Sequence, residues 1–122
     1  MAKTIMIVDD SASLRQVVSI ALKGAGYDVI EGCDGRDALS KLTGQKVNLI
    51  VSDVNMPNMD GITLVQEVKK LPVYRFTPII MLTTESGDDK KSAGKTAGAK
   101  AWMVKPFRPD ELLMAVSKLV LP

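Results

Sequence analysis

The chain has 122 residues, 16 Lys and Arg against 14 Asp and Glu for a net charge of +2, and 46% hydrophobic residues, which describes one globular domain over 1–122 without room for a second. A single cysteine excludes an internal disulfide and a cysteine-cluster zinc site, and the absence of histidine excludes Ser-His-Asp, Cys-His and His-metal chemistry. Any reaction must run on carboxylate, hydroxyl or amine; no apolar run reaches the roughly 18 residues of a membrane span, no signal peptide opens the chain, and the small net charge does not imply nucleic acid, so a cytoplasmic protein is expected.

Ile5 to Val8 is the first short apolar run. Behind it Leu14, Val17, Val18, Ala21 and Leu22 fall at i, i+3, i+4, i+7 and i+8, a first amphipathic helix that Gly26 can close. Val29-Ile30 is a weaker run and the natural edge strand, with Cys33 at its end read as a small packed residue. Ala38, Leu39 and Leu42 mark a short second helix. Val47 to Val51, interrupted by Asn48, is the third strand, and Leu64, Val65, Val68 and Leu71 mark the third helix. Ile79 to Leu82 is the fourth strand. Ser86 to Gly98 reads as a helix with few anchors: Ser86 can cap it and Asp88 and Asp89 suit its first turn, but its apolar content is only Ala93 and Ala97. Ala101 to Val104 is the fifth strand. Pro109, Asp110 and Glu111 then open a last helix striped by Leu112, Leu113, Val116, Leu119 and Val120. Continuous apolar strands rich in β-branched residues are buried on both faces, which is the signature of a parallel sheet. Right-handed crossovers place helices on both sides of it, giving a doubly wound, three-layer α/β/α domain.

In such a sheet, sites form outside the carboxyl ends of the strands, near the point where strand order reverses. Strand one runs out into Asp9-Asp10, strand three into Asp53, strand four into Thr83-Thr84 and strand five into Lys105-Pro106. Taken singly, each of these is a common turn, cap or surface residue; together they supply three carboxylates, a hydroxyl and an ammonium to one crevice. Two unit charges about 4 Å apart are worth roughly 4 kcal/mol at an effective dielectric of about 20. The repulsion must be offset by a raised carboxyl pKa, by the Lys105 ammonium or by a divalent cation, and an oxygen-only set suits Mg²⁺ or Mn²⁺. With a metal present, one carboxylate can act as a nucleophile toward phosphorus. Asp53, which stands alone after an interior strand, is the candidate; Asp9 and Asp10 form the metal-holding pair. Lys105 and Thr83 are placed to stabilise charge on the phosphoryl oxygens.

The stretches Ile7-Val8-Asp9-Asp10-Ser11, Asp53-Val54-Asn55-Met56-Pro57-Asn58-Met59-Asp60-Gly61, Leu82-Thr83-Thr84 and Val104-Lys105-Pro106-Phe107 closely resemble the receiver domain of two-component response regulators, of the single-domain, chemotaxis CheY-like type. The resemblance covers essentially the whole chain. It implies a five-stranded flavodoxin-like sheet of order 2-1-3-4-5. It further implies Asp53 as phosphoacceptor, Asp9, Asp10, Asp53 and the Asn55 main-chain carbonyl as ligands of Mg²⁺, and Thr83 and Lys105 as phosphoryl contacts. A cis Lys105-Pro106 peptide is implied as well, and Pro57 and Gly61 as shapers of the loop after Asp53. Asn55 and Glu85, each two residues beyond a site residue, are implied to tune dephosphorylation. Thr83 and an aromatic on strand five are implied to relay the switch. That aromatic is Trp102 where Tyr, Phe or His is usual, and the bulk of indole argues against a two-rotamer mechanism and for order in the helix over Ser86 to Gly98 as the carrier.

The function so implied is a phosphorylation-activated switch that catalyses only its own phosphorylation and dephosphorylation. It takes a phosphoryl group from a CheA-like sensor histidine kinase and signals by contact, foremost to a FliM-like flagellar motor switch protein, with a phosphatase as a further partner. It is expected to be monomeric, without nucleic-acid or membrane contacts. No attached output segment is expected, so read-out is expected to fall to the surface of the last two helices and strand five, including Lys90, Lys91, Lys95 and Lys100. A phosphate sink or phosphorelay intermediate needs the same residues. From other classes, a flavodoxin-like electron carrier would need a hydroxyl- and Gly-rich phosphate loop where Asp9-Asp10 stands. A metal-dependent phosphohydrolase would space its first two carboxylates two apart rather than adjacent.

Overall fold

The computed structural model describes residues 3–83, 98–105 and 107–120. The predicted helix over Ser86 to Gly98, except Gly98 itself, lies outside the described residues, as do Thr84, Glu85, Lys90, Lys91, Lys95 and Pro106 with its peptide bond. Strands β1 (Thr4–Val8), β2 (Asp28–Gly32), β3 (Leu49–Asp53), β4 (Ile79–Thr83) and β5 (Ala101–Val104) pair in parallel in the order β2-β1-β3-β4-β5. Helices α1 (Ala12–Gly24), α2 (Gly35–Lys41), α3 (Gly61–Lys70) and α4 (Pro109–Leu119) connect or follow them. The predicted architecture and strand order are therefore those observed. The chain steps outward from β1 to β2 and then crosses back to β3, so the strand order reverses between β1 and β3 and a crevice opens there at their carboxyl ends.

Alternate residues of each strand serve opposite faces of the sheet. Ile5, Ile7, Leu49, Val51, Ile80 and Leu82 pack against Val18 and Leu22 of α1 and Leu112 and Val116 of α4. Met6, Val8, Ile50, Ile79 and Met81 pack on the other side against Ala38 of α2 and Leu64, Val65 and Val68 of α3. Fully burying an aliphatic side chain contributes about 1.5–3 kcal/mol, so the fully buried central strands carry the fold. The edge strands are more open: β2 is buried only at Gly32, and β5 is half-buried over Ala101 to Met103 and exposed at Val104.

Local signals fix the helix ends. Ser11 accepts the Leu14 N–H at 3.3 Å, Asp34 the Asp37 N–H at 2.8 Å and Asp60 the Thr63 N–H at 2.7 Å, satisfying donors that a helix start leaves open. At the end of α1 the chain turns through Gly26 at φ 95°, with Tyr27 N–H on the Leu22 carbonyl and Gly26 N–H on the Lys23 carbonyl, the paired bonds of a Schellman motif.

Two expectations are corrected. The third strand is displaced from Val47–Val51 to Leu49–Asp53, because β4 continues the ladder past the apolar run; Asp53 pairs in register with Leu82 and is the last strand residue rather than the first loop residue. Val47 is buried all the same, in the segment leading into the strand. Cys33 is exposed rather than packed: β2 ends at Gly32, and Cys33 stands in the turn between the strand and the Asp34 cap of α2.

Candidate functional site

The parallel register brings the strand ends together. β1 delivers Asp9 and Asp10, β3 delivers Asp53, β4 delivers Thr83, and Lys105 follows β5, its N–H bonded to the Thr83 carbonyl at 2.6 Å. One carboxylate oxygen from each of Asp9, Asp10 and Asp53 lies within 4.8 Å of the other two. Lys105 Nζ reaches Asp9 Oδ2 at 2.9 Å and Asp53 Oδ2 at 3.3 Å. All five predicted groups thus share one end of the sheet, and the ammonium sits between two of the three acids.

The adjacent aspartates have different environments. Asp9 is fully buried, and besides Lys105 it holds the Ser11 N–H on Oδ1 at 2.8 Å. Asp10 is exposed. Asp53 is 6% exposed, and its carboxyl pKa is pushed above the usual aspartate range, first by burial and then by the Asp9 charge, against the pull of Lys105. Burial pulls the Lys105 pKa down, but its hydrogen bond and charge contact with Asp9, joined by Asp53, outweigh this and raise it. Two of the three possible remedies for carboxylate repulsion therefore operate together, the raised carboxyl and the ammonium. The third remains chemically open: three carboxylates without histidine or cysteine are a donor set suited to Mg²⁺ or Mn²⁺.

An acid whose pKa is higher folded than unfolded favours the fold only while protonated. Its cost is absent below the usual aspartate range, grows as the pH rises through the interval up to the raised folded value, and is complete above it. Asp53→Asn should therefore raise the thermal midpoint of the metal-free protein at pH 7. The gain should shrink as the pH falls toward the ordinary aspartate range; a gain independent of pH between 3 and 7 would contradict this assignment.

Thr83 is fully buried at the end of β4. Trp102 lies on the same face of the sheet, opposite Met81 in register, packed against the α2–α3 side of the core. It is half-buried, and its indole Nε1 is buried without a hydrogen-bond partner among the described residues. Met56 and Met59 pack on the same core layer as loop residues. Glu85 and the Lys105-Pro106 peptide lie outside the described residues.

Sequence reasoning assigned no role to Arg15, Asp34 or the Asn58 side chain, which tie together the segments around this end of the sheet. Arg15 on α1 donates from Nη1 to the Asp9 carbonyl at 2.5 Å and from Nε to Glu31 at 3.3 Å, tying the turn after β1 to β2. Asp34, the cap of α2, also accepts from Asn58 Nδ2 at 2.7 Å. The capping half of that arrangement was readable in Asp34-Gly35-Arg36-Asp37 ahead of a helical stripe; the contact with Asn58 spans 24 residues and has no local signal.

The family model described as the response regulator receiver domain matches residues 5–117. Among curated proteins, the chain is similar to protein PilG of Pseudomonas aeruginosa, 37% identical over 112 residues that cover 92% of this chain and 83% of PilG. It is 38% identical over 111 residues to the phosphate regulon transcriptional regulatory protein PhoB of the same organism, covering 91% of this chain but 48% of PhoB, so it spans about half of that regulator. Among solved structures, chemotaxis protein CheY4 of Vibrio cholerae superposes with a TM-score of 0.94 at 46% identity, covering 98% of this chain and 99% of CheY4.

Proposed function

The chain belongs to the response regulator receiver domain family of two-component systems, and from that premise we propose that it is a switch which accepts a phosphoryl group on Asp53 from a sensor histidine kinase. The observation that carries the proposal is the Lys105 ammonium bridging Asp9 and Asp53 beside the reversal of strand order. An Asp53 carboxylate oxygen attacks phosphorus. An O–P bond forms, the donor's P–N bond breaks, and its electron pair leaves with the imidazole nitrogen. The raised basicity of Asp53 strengthens it as a nucleophile once ionised. Lys105 then stabilises charge on the phosphoryl oxygens, and the Thr83 hydroxyl serves the same group from β4. Asp9, Asp10, Asp53 and the Asn55 carbonyl are the residues that would hold Mg²⁺ or Mn²⁺, which when bound supplies further stabilisation of phosphoryl charge. Asn55 and Glu85, two residues beyond Asp53 and Thr83 in sequence, are the residues assigned to tuning the lifetime of the acyl phosphate.

The partners that suit this reading are a CheA-like kinase and, given the likeness to a chemotaxis protein, a FliM-like motor switch protein in the cytoplasm. Among the described residues no helix is long and apolar enough to cross a membrane. A switch of this kind turns over only its own phosphoryl group. Incubation with acetyl phosphate followed by borohydride should reduce one acyl phosphate to homoserine at position 53, with no sustained release of nitrophenol from nitrophenyl phosphate. Reduction at another carboxylate, or steady turnover of the nitrophenyl ester, would overturn the reading.

A further inference from the structure

The loop that follows Asp53 is held in an unusual shape. Asn58 is the only non-glycine at positive φ among the described residues, at 66°, and Met59 N–H bonds back to the Pro57 carbonyl at 2.7 Å across it. A bond from i+2 to i around a left-handed residue is a tight, strained γ-turn, and strain of this kind persists only where the surroundings over-determine it. Here the surroundings come from α2. Asp34 Oδ2 accepts from Asn58 Nδ2 at 2.7 Å, and Gly35 N–H reaches the Met59 carbonyl at 3.3 Å. The other end of the loop is fixed by Val54 N–H on the Leu82 carbonyl and Gly61 N–H on the Val54 carbonyl, both at 2.9 Å. Asn55 lies between the two anchors.

We propose that Asp34 is a positioning residue for the phosphoryl site: through Asn58 it braces the Pro57–Met59 turn and so holds the Asn55 main chain in place beside Asp53. Asp34 is itself 7% exposed and its carboxylate is held ionised, its pKa lowered by the Asp37 N–H and then by the Asn58 amide. One oxygen caps α2 and the other braces the loop, so the two roles belong to different atoms and can be separated.

The inference rests on the phosphoacceptor reading of Asp53. Asp34→Ser keeps a good helix cap but is too short to reach Asn58; Asn58→Gly removes the brace from the other side while accepting the positive φ. With the full chain and Mg²⁺ alone as the calorimetric probe, each variant should bind the ion about threefold to tenfold more weakly, at or below the lower end of what outer partners of metal ligands contribute. The double variant should be no weaker than either single one, because the pair acts as a unit. Phosphorylation by acetyl phosphate should slow at subsaturating Mg²⁺ and recover at saturation. Wild-type Mg²⁺ affinity in Asp34→Ser, additive losses in the double variant, or a lowered midpoint with a slower rate even at saturation would assign Asp34 to structure alone and overturn the inference. If wild type binds Mg²⁺ and takes up phosphoryl, such results leave the reading of Asp53 standing. If wild type does neither, both fall.

Discussion

Lys105→Ala should destabilise the metal-free protein by about 3 kcal/mol, the lower end of the cost of removing one member of a buried ion pair. Lys105 Nζ stands 2.9 Å from a fully buried carboxylate at Asp9 and 3.3 Å from Asp53, with 17% of its side chain exposed. Removing it leaves two acids facing each other with their mutual repulsion undiminished. The protein can then relieve the site in two ways, by a further rise in the Asp53 pKa or by taking up a cation. Saturating Mg²⁺ should therefore stabilise the variant more than it stabilises wild type. Acyl phosphate formation at saturating Mg²⁺ should still fall by about 10²–10³, the usual loss when one donor to a developing oxyanion is removed. Urea unfolding with and without Mg²⁺ measures the first effect and the time course of adduct formation the second. A variant that unfolds at the wild-type urea concentration in the absence of metal would show that the Lys105 pairs contribute nothing to the fold.

Gly61→Ala should be nearly as damaging, for a reason unrelated to charge. A Cβ at this position would lie 2.1 Å from the Asp53 carbonyl oxygen and 2.8 Å from Met81 Cε. The methionine methyl can move aside; the backbone of β3 cannot. The N-terminus of α3 would have to retreat, breaking the Gly61 N–H bond to the Val54 carbonyl and shifting Asp53 with it. Overpacking of this kind costs about 1–3 kcal/mol or somewhat more, and the backbone clash places this case near 3 kcal/mol. A displacement of the nucleophile by about 1 Å costs on the order of 10²-fold in rate. Gly24→Ala is the control: nothing lies within 4 Å of its Cβ position at the end of α1, so the exchange should be neutral or stabilising by up to about 1 kcal/mol. Denaturant midpoints for the two variants, measured side by side, distinguish close approach from a general intolerance of alanine.

Much of this molecule is legible in its sequence because the elements are locally consistent. β1 and β4 are unbroken apolar runs bounded by polar residues, and α1 and α4 carry helical stripes with matching terminal residues. The site was legible because strand ends in a doubly wound sheet converge: once Asp9, Asp53, Thr83 and Lys105 are each placed after a strand, their meeting follows from topology. What escaped was set by tertiary contact. The boundary of β3 moved because ladder bonds to β4 extend it through Ser52 and Asp53, which no hydrophobic pattern marks. The pairing of Lys105 with Asp9, rather than with the adjacent Asp10, joins residues 96 apart in the chain and has no local signal. Gly61 could be read as a turn former, but its need for a bare Cα comes from a carbonyl eight residues earlier in sequence and in contact only after α3 has docked. The brace from Asp34 to Asn58 joins two loops whose separate signals are those of ordinary turns.

The central claim is that Asp53 is the phosphoryl acceptor of a metal-assisted reaction, and intact-protein mass after incubation with acetyl phosphate tests it most directly. Wild type with Mg²⁺ should gain one phosphoryl group, and the gain should be lost when Mg²⁺ is withheld and in Asp53→Asn. An adduct that persists in Asp53→Asn, or a wild type that gains none from a donor shown to phosphorylate another receiver in the same tube, would contradict the account.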